Sequence, residues 1–351
     1  MRAELLLAAL LAAAPAWAGD EGGGVTFAAR SSQSFPAPSY GAPARVLYDS
    51  GDSDPIASAW NTVLIQGYLP DPSVRFQAAR ASSSPRWTDM EVHRFPNGRF
   101  WARARLAEGS GAARLRALDA GISRDATVDI YSVEAFVQSP EAPPVPLPAP
   151  RGPVESGVAR PFVHPRSEWK ALPATEPYTP DPLPWRITLH HSDGRFTKSL
   201  AESLDEVRFI QDFHIHGRGW IDIAYHFAVD PLGNIIEARP EGTLGAHTLG
   251  NNEGNVGIVL LGTYHPPVND HPTPAQLAAV AALGRYLVAR YGIFPTALKG
   301  HRDYKITECP GDLAYVDLPQ LRRALALPPA QAPAPSAPPS LRVPASFDGA
   351  R

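Results

Sequence analysis

The residues of this chain best suited to chemistry are its imidazoles and its one thiol. Nine of the eleven histidines lie between residues 190 and 301, and the single cysteine is Cys309. His190 and His191 end an apolar run typical of a buried strand, and strand ends are where ligands gather in open α/β sheets. His301 and Cys309 share one later loop. One ligand from the strand end and two from this loop would form a three-ligand zinc site with an open fourth position, the catalytic arrangement.

Cys309 needs an explanation of its own, because a lone thiol cannot form a disulfide within the chain. One alternative is a small buried apolar residue. Its neighbours in Glu308-Cys309-Pro310-Gly311-Asp312 are typical of a polar turn rather than of a core segment. This context favours a metal ligand.

Alternating strands and helices in residues 161–326 must position these groups. Arg186–His190 is typical of a buried strand, and the apolar run Val256–Leu261 indicates a central strand covered on both faces. A hairpin is predicted from two further strands and the turn between them, at Ala224–Val229, Ile235–Ala238 and Asp230–Asn234. This pattern predicts an α/β domain with a mixed central sheet and packed helices.

Helix boundaries in the same segment are marked by capping residues. Ser203 and Glu206 have the spacing of a capping box, which predicts the start of a helix that carries His214 on its apolar stripe. Thr273 is typical of an N-cap, and Gly292 of the end of the helix that follows it.

Residues 45–138 differ, because short alternating apolar runs are separated there by turn signals. Strands are predicted at Val46–Tyr48, Thr62–Ile65, Val74–Gln77, Arg99–Ala102 and Val128–Tyr131. Pro96-Asn97-Gly98 is a strong hairpin signal. We predict an all-β, sandwich-like domain. Its residues form no recognisable chemical constellation, and architecture alone is a weak basis for a role in carbohydrate binding or positioning.

The remaining segments are interpreted as export and linker sequences. Residues 1–18 combine an apolar run with Ala16-Trp17-Ala18, an arrangement typical of a cleaved secretory signal. That run is shorter than the roughly 20 residues of a membrane span. A flexible leader, a Pro-rich linker and a disordered Pro/Ala-rich tail are predicted at residues 19–44, 139–160 and 327–351. We therefore expect an exported bacterial protein, periplasmic or extracellular, with no membrane span.

Short blocks between about residues 165 and 325 resemble the type 2 N-acetylmuramoyl-L-alanine amidases and peptidoglycan recognition proteins. In chain order the blocks are Arg166-Ser167-Glu168-Trp169, Leu189-His190-His191-Ser192, Arg218–Phe227, Gly245-Ala246-His247-Thr248, Val256-Gly257-Ile258, Gly300-His301-Arg302-Asp303 and Thr307-Glu308-Cys309-Pro310-Gly311. Ala224 stands where the family usually has glycine. Any one block is weak, but their common order is specific.

The resemblance implies a role for each matching residue. The zinc ligands would be His190, His301 and Cys309, and the catalytic residues Tyr225 and Thr307. Candidate substrate contacts are His214, Trp220, His247 and Asn252, although His214 fits the groove wall and the core equally well. His191 and His226 are expected either to support the site residues or to have structural roles, and solvated positions are expected for His216, His265 and His271.

The implied activity is hydrolysis of the lactyl–L-alanine amide bond of peptidoglycan, with zinc as cofactor. Family members that only bind peptidoglycan usually lack the ligand cysteine, so Cys309 favours an enzyme over the alternative, a non-hydrolytic recognition module. The net charge of -3 and the absence of a Lys/Arg run argue against a nucleic-acid partner. The oligomeric state is not defined by the sequence.

Overall fold

The structure, a computed structural model, describes residues 23–24, 32–36, 45–56, 58–69, 73–119, 125–138 and 157–326. The predicted signal at 1–18, the tail at 327–351 and most of the 139–160 linker lie outside the described residues. Within the described ranges, no helix is long and apolar enough to cross a membrane.

Ten strands form two antiparallel sheets, which we call the N-terminal sheets. The strands are β1 (Gly23–Gly24), β2 (Ser32–Pro36), β3 (Arg45–Asp52), β4 (Trp60–Tyr68), β5 (Val74–Arg80), β6 (Thr88–Asp89), β7 (Glu91–Arg94), β8 (Arg99–Gly109), β9 (Ala113–Asp119) and β10 (Asp125–Phe136). One sheet has the order β1-β10-β4-β8-β7 with β2 also on β10, and the other has the order β3-β9-β5-β6. Ile65 and Phe100 of the first sheet share an apolar core with Phe76 and Leu115 of the second. No helix occurs among the described residues of this part.

The N-terminal sheets contain the predicted strands and two further strands in the predicted leader. β7 and β8 form the hairpin predicted at Pro96-Asn97-Gly98, where Gly98 has the positive φ of 82° that the turn requires. Within the predicted leader, by contrast, β1 and β2 pair with β10. Strand β9 was not predicted, although Ala113, Leu115 and Ala117 alternate with arginines.

The C-terminal part contains the predicted mixed sheet. Its strands are β11 (Arg186–His191), β12 (Phe227–Val229), β13 (Ile235–Glu237), β14 (Asn255–Leu260) and β15 (Leu298–Gly300), in the order β13-β12-β14-β11-β15. β11 runs parallel to both of its neighbours, and only the β12–β13 hairpin is antiparallel. All six residues of β14 are buried, as expected of a covered central strand.

Four helices pack on this sheet: α1 (Leu200–Asp212), α2 (Pro274–Tyr291), α3 (Asp312–Tyr315) and α4 (Leu318–Ala326). Helix α1 continues into a π-helical turn, Phe213–Arg218. The predicted caps of α2 are confirmed, because the Thr273 hydroxyl accepts a hydrogen bond from Gln276 N and Gly292 has a φ of 68°.

The predicted start of α1 is wrong by one turn. The pattern Ser-x-x-Glu occurs twice in succession, and the helix is capped by Ser199, whose side chain accepts a hydrogen bond from Glu202 N. Ser203 and Glu206 lie inside the helix and are fully buried. Local sequence does not distinguish the two caps; the burial of Ser203 and Glu206 does.

Helix α1 also contacts the N-terminal sheets. Leu64 of β4 and Trp101 of β8 share an apolar cluster with Phe209 of α1. The Trp101 indole donates a 2.8 Å hydrogen bond to Asp212. The division into domains at 45–138 and 161–326 stays a prediction, because these two parts share a core.

Candidate metal centre and cleft

Three buried donors converge at the carboxyl ends of two neighbouring strands. His190 lies near the end of β11, and His301 follows β15 directly. Because β11 and β15 are parallel and adjacent, the two rings come together with centroids 4.7 Å apart. The Cys309 Sγ atom lies 3.5 Å from His190 Nδ1. The three ligand atoms lie within 4.8 Å of one another, so the sequence-predicted ligands form one cluster.

The loop that carries Cys309 is held against the turn that carries His301. Arg302 N donates a 3.0 Å hydrogen bond to the Cys309 carbonyl, and the Arg302 guanidinium donates to the Glu308 carbonyl. Cys309 N donates a 3.2 Å hydrogen bond to the Thr307 hydroxyl. These contacts fix the thiol relative to His301 through the backbone.

A chain of hydrogen bonds determines which nitrogen of His190 faces the cluster. A backbone carbonyl only accepts, so the 3.0 Å contact with Asn255 O places a proton on His247 Nε2. His247 Nδ1 then accepts, and it lies 3.0 Å from His190 Nε2, which donates. His190 Nδ1 therefore carries a lone pair directed at Cys309. An outer partner that fixes a histidine tautomer in this way is typical of metal ligands.

The donor set fits zinc. Two imidazoles and a thiolate are zinc ligands, and three protein ligands leave a fourth position for water or substrate. His190 and His301 are fully buried and Cys309 is 7% exposed, so a bound ion would be shielded from bulk solvent.

A second group, His191, Asp193 and His265, lies beside the first. His265 was predicted to be solvated, and this prediction is wrong because it is buried. Its Nε2 lies 3.1 Å from Asp193 and its Nδ1 lies 2.8 Å from Glu308. Burial lowers the pKa of His265, but hydrogen bonds and charge from the two carboxylates outweigh it and raise the pKa to about 9. An imidazolium held by two carboxylates accounts for this group, so we assign no metal to it.

A cleft opens beside the candidate metal centre. Its lining comes from β11 and the loop after it, from α1 and the π-helical turn, from the loop before α3, and from the N-terminal sheets. The lining residues are Gln66, Ser132, Glu134, His191, Ser192, Asp193, Phe209, Ile210, Phe213, His214, Arg218, Tyr225, Thr307 and Cys309. Both predicted catalytic residues, Tyr225 and Thr307, are among them. The Tyr225 ring lies 5.1 Å from the ring of His190, measured between centroids. The cleft therefore reaches the candidate metal centre at Cys309 and Tyr225.

Of the four predicted substrate contacts, only His214 lines the cleft. Its Nδ1 accepts a 3.2 Å hydrogen bond from Ala224 N, so the proton of the neutral ring is on Nε2. The π-helical turn sets this orientation, and such turns are frequent at functional sites.

The other three predicted substrate contacts have supporting positions. His247 is fully buried behind His190, and Trp220 is buried with its ring 4.8 Å from that of His214. The Asn252 side chain accepts hydrogen bonds from the backbone of His247 and Thr248, at 2.9 and 2.7 Å. That these three contact substrate stays a prediction, and none of them is among the residues that line the cleft.

His226 has the structural role that was predicted for it. It donates to Thr243 O and accepts from Gly257 N, at 2.8 and 3.0 Å. Burial lowers its pKa to about 4, so the ring is neutral. His191, predicted to have a supporting or structural role, lies in the cleft wall.

The sequence did not reveal several cleft residues. Gln66, Ser132 and Glu134 come from strands of the N-terminal sheets, where no local pattern indicated chemistry. Arg218 belongs to a matching block, yet its 2.6 Å buried ion pair with Glu134 could not be foreseen.

Known proteins are similar to the part of the chain that contains this site. A family model described as N-acetylmuramoyl-L-alanine amidase matches residues 180–312. Peptidoglycan-recognition protein SC2 of Drosophila simulans is 33% identical over 147 residues, which are 42% of this chain and 78% of that protein. The N-acetylmuramoyl-L-alanine amidase of Sus scrofa is 33% identical over 170 residues, 46% of this chain but only 27% of that protein.

Solved structures of similar proteins cover the same part of the chain. Drosophila PGRP-LB is 31% identical and matches 45% of this chain and 92% of its own, with a TM-score of 0.40. PGRP-LE, solved in complex with tracheal cytotoxin, is 33% identical over 45% of this chain and 92% of its own, with a TM-score of 0.42.

The fold and site define an α/β protein with a candidate His/His/Cys metal centre at the end of a cleft. The matching family model and the relatives with shared sequence assign it further. The chain belongs to the family of N-acetylmuramoyl-L-alanine amidases and peptidoglycan recognition proteins.

Proposed function

We propose that this protein is a zinc-dependent N-acetylmuramoyl-L-alanine amidase that hydrolyses the bond between the lactyl group of N-acetylmuramic acid and L-alanine in peptidoglycan. The observation that carries the proposal is the convergence of His190, His301 and Cys309 within 4.8 Å, next to a cleft that Cys309 also lines. The family supports the same reaction.

Zinc held by these three residues would supply Lewis acidity toward the amide carbonyl and the attacking water. The chain's own residues would orient the substrate. Tyr225 lines the cleft beside His190, so its hydroxyl would donate a hydrogen bond to the carbonyl oxygen as negative charge develops there. A donor in this position contributes about 3 kcal/mol to transition-state stabilisation.

Thr307 and His214 would supply two further hydrogen bonds in the cleft. The Thr307 oxygen accepts from Cys309 N, so its hydroxyl hydrogen can be donated to substrate. The protonated Nε2 of neutral His214 is a second donor. A threonine hydroxyl is a poor base, so Thr307 is assigned to orientation rather than to deprotonating water.

The proposal includes the setting of the enzyme. We propose that the substrate is intact cell wall, since residues 1–18 are typical of an export signal. We also propose that residues 45–138 and 161–326 are two domains that share an interface at α1.

The test is zinc content together with wall hydrolysis, for the full chain, Cys309→Ala and the control Ile306→Ala. Ile306 lies on the same loop with its side chain 78% exposed. Mass spectrometry of digested sacculi should show peptides with a newly free N-terminal alanine for wild type and Ile306→Ala. Cys309→Ala should lose both zinc and this product.

Two results would refute the proposal. Cuts in the glycan strand or between stem peptides would assign another bond. Muropeptide binding without turnover, unchanged in Cys309→Ala, would make the protein a recognition module.

A further inference from the structure

The cleft has a polar wall that comes from outside the family-matching region. Gln66 of β4 and Ser132 of β10 are paired in the antiparallel ladder, and both line the cleft with Glu134. Side chains alternate along a strand, so these residues share the face opposite to Ile65, which points into the core of the N-terminal sheets. This polar face is covered by α1 rather than by water, and Gln66 is only 6% exposed.

Arg99 holds the Gln66 side chain in one orientation. Its guanidinium donates to Gln66 Oε1 at 2.7 Å, to Gly67 O at 2.8 Å and to Glu206 at 3.0 Å. It also lies 3.9 Å from the ring centroid of Phe209 on α1. Because a guanidinium has no acceptor, Gln66 Oε1 must face Arg99. The Gln66 amide nitrogen is then the group left for the cleft.

The charges of this wall are already matched. Glu134 forms a buried ion pair with Arg218, the charged cleft residue on the π-helical turn. The neutral polar groups of the wall are the Gln66 amide and the Ser132 hydroxyl. A wall of this kind suits an uncharged hydrogen-bond acceptor.

We infer that Gln66 is a substrate-binding residue that donates a hydrogen bond from Nε2 to a carbonyl oxygen of the substrate. This inference rests on the proposed amidase function for the nature of the substrate. A peptidoglycan fragment has two sources of such carbonyls, the amides of the stem peptide and the acetamido group of the sugar. The N-terminal sheets therefore complete the substrate site instead of only adjoining it, with Arg99 and Glu206 positioning Gln66.

Gln66→Glu isolates the donor. The carboxylate keeps an acceptor for Arg99, so the contact with α1 survives, but the N–H group directed at the substrate is removed. The matched control is Gln77→Glu on β5, which adds the same charge to the other N-terminal sheet, where Gln77 bonds Asp89 and Arg116. Thermal unfolding of each full-length variant checks the fold.

For N-acetylmuramoyl-tetrapeptide we expect Gln66→Glu to raise KM by about tenfold or more with little change in kcat. The reason is that the lost hydrogen bond stabilises the bound substrate and the transition state equally. Gln77→Glu should match wild type. A KM for Gln66→Glu within about twofold of wild type, in a folded and active protein, overturns the inference.

Two substrate analogues identify the acceptor. If it is the acetamido carbonyl, wild type and Gln66→Glu become equal on the N-deacetylated substrate. If it is a stem carbonyl beyond the second residue, they become equal on N-acetylmuramoyl-dipeptide. A difference that persists on both analogues assigns the acceptor to a stem carbonyl that the dipeptide retains.

Calorimetric binding of N-acetylmuramoyl-tetrapeptide separates this inference from the proposed function. A wild type that binds without turnover, with binding weakened about tenfold by Gln66→Glu, refutes the amidase and supports the subsite. An active wild type with unaltered binding in Gln66→Glu supports the amidase and refutes the proposed role of Gln66.

Discussion

Replacing His247 with leucine should weaken zinc binding although no ligand is removed. His247 Nδ1 accepts a 3.0 Å hydrogen bond from His190 Nε2, and His247 Nε2 donates a 3.0 Å hydrogen bond to Asn255 O. Leucine can do neither, so His190 loses the partner that keeps its Nδ1 unprotonated and directed at Cys309. Its ring also loses an orienting contact.

The expected loss follows from the nature of this contact. Removing an outer-shell partner of a ligand lowers metal affinity by about 10- to 100-fold, or about 1.4–2.8 kcal/mol. The ring of His247 is closely confined, because a Cβ on Gly245 or Gly257 would lie 2.5 or 2.6 Å from it. We therefore expect Gly257→Ala to displace the His247 ring and to change zinc affinity in the same direction.

The measurement is a competition titration with a chromogenic zinc chelator near neutral pH, on protein shown to be folded by circular dichroism. His226→Leu is the matched control, since His226 is also buried and both of its ring nitrogens are hydrogen-bonded to the backbone, at Thr243 and Gly257. It should lower the free energy of unfolding and leave the zinc Kd unchanged. His247→Asn should recover part of the affinity, because its oxygen can accept from His190.

Unchanged zinc affinity in folded His247→Leu would refute the tautomer argument. Equal losses in His247→Leu and His226→Leu would also refute it, because a general loosening of the core would then explain both.

Three other predictions address stability and turnover. Arg99→Met should lower the free energy of unfolding by about 3–5 kcal/mol in urea titrations, because it leaves the Glu206 carboxylate buried and unpaired. The control Arg114→Met removes a partly exposed ion pair and should lower it by under about 1 kcal/mol. Similar losses in both variants would contradict a strong buried interaction between Arg99 and Glu206. The pKa of His265 is raised from 6.5 to about 9, so its ion pairs stabilise the fold fully below pH 6.5 and this contribution is lost as pH rises through about 9. His265→Gln should therefore show a smaller fall in unfolding free energy than wild type over that range. An identical fall in both proteins would contradict a stabilising role of these ion pairs. Thr307→Val should lower kcat by about 10-fold or more while Thr307→Ser retains most of it, and equal activities of the two would exclude the hydroxyl from the reaction.

Much of the fold was predictable because its signals are local. The cap at Thr273, the end of α2 at Gly292 and the Pro96-Asn97-Gly98 hairpin each depend on a few adjacent residues. The start of α1 could not be predicted, since two equivalent Ser-x-x-Glu patterns compete and only the packing of Glu206 against Arg99 distinguishes them.

Some residues of the candidate site could likewise be predicted from the sequence and others could not. His190, His301 and Cys309 were found from residue types and ordered blocks, and the parallel pairing of β11 with β15 brings them together. His265 was misassigned, because a histidine in sequence does not reveal whether its ring meets a ligand, a carboxylate or water.

The sequence by itself determined the chemistry available to this protein: two imidazoles and one thiol at strand and loop ends, within an α/β pattern. Only the tertiary structure decided how that chemistry is supported and enclosed. The tautomer of His190 depends on a residue 57 positions away, and the Arg99–Glu206 contact joins residues separated by 107 positions. Such contacts have no local signature, since each partner taken alone is an ordinary polar residue. Their energy exists only after folding has removed both from water.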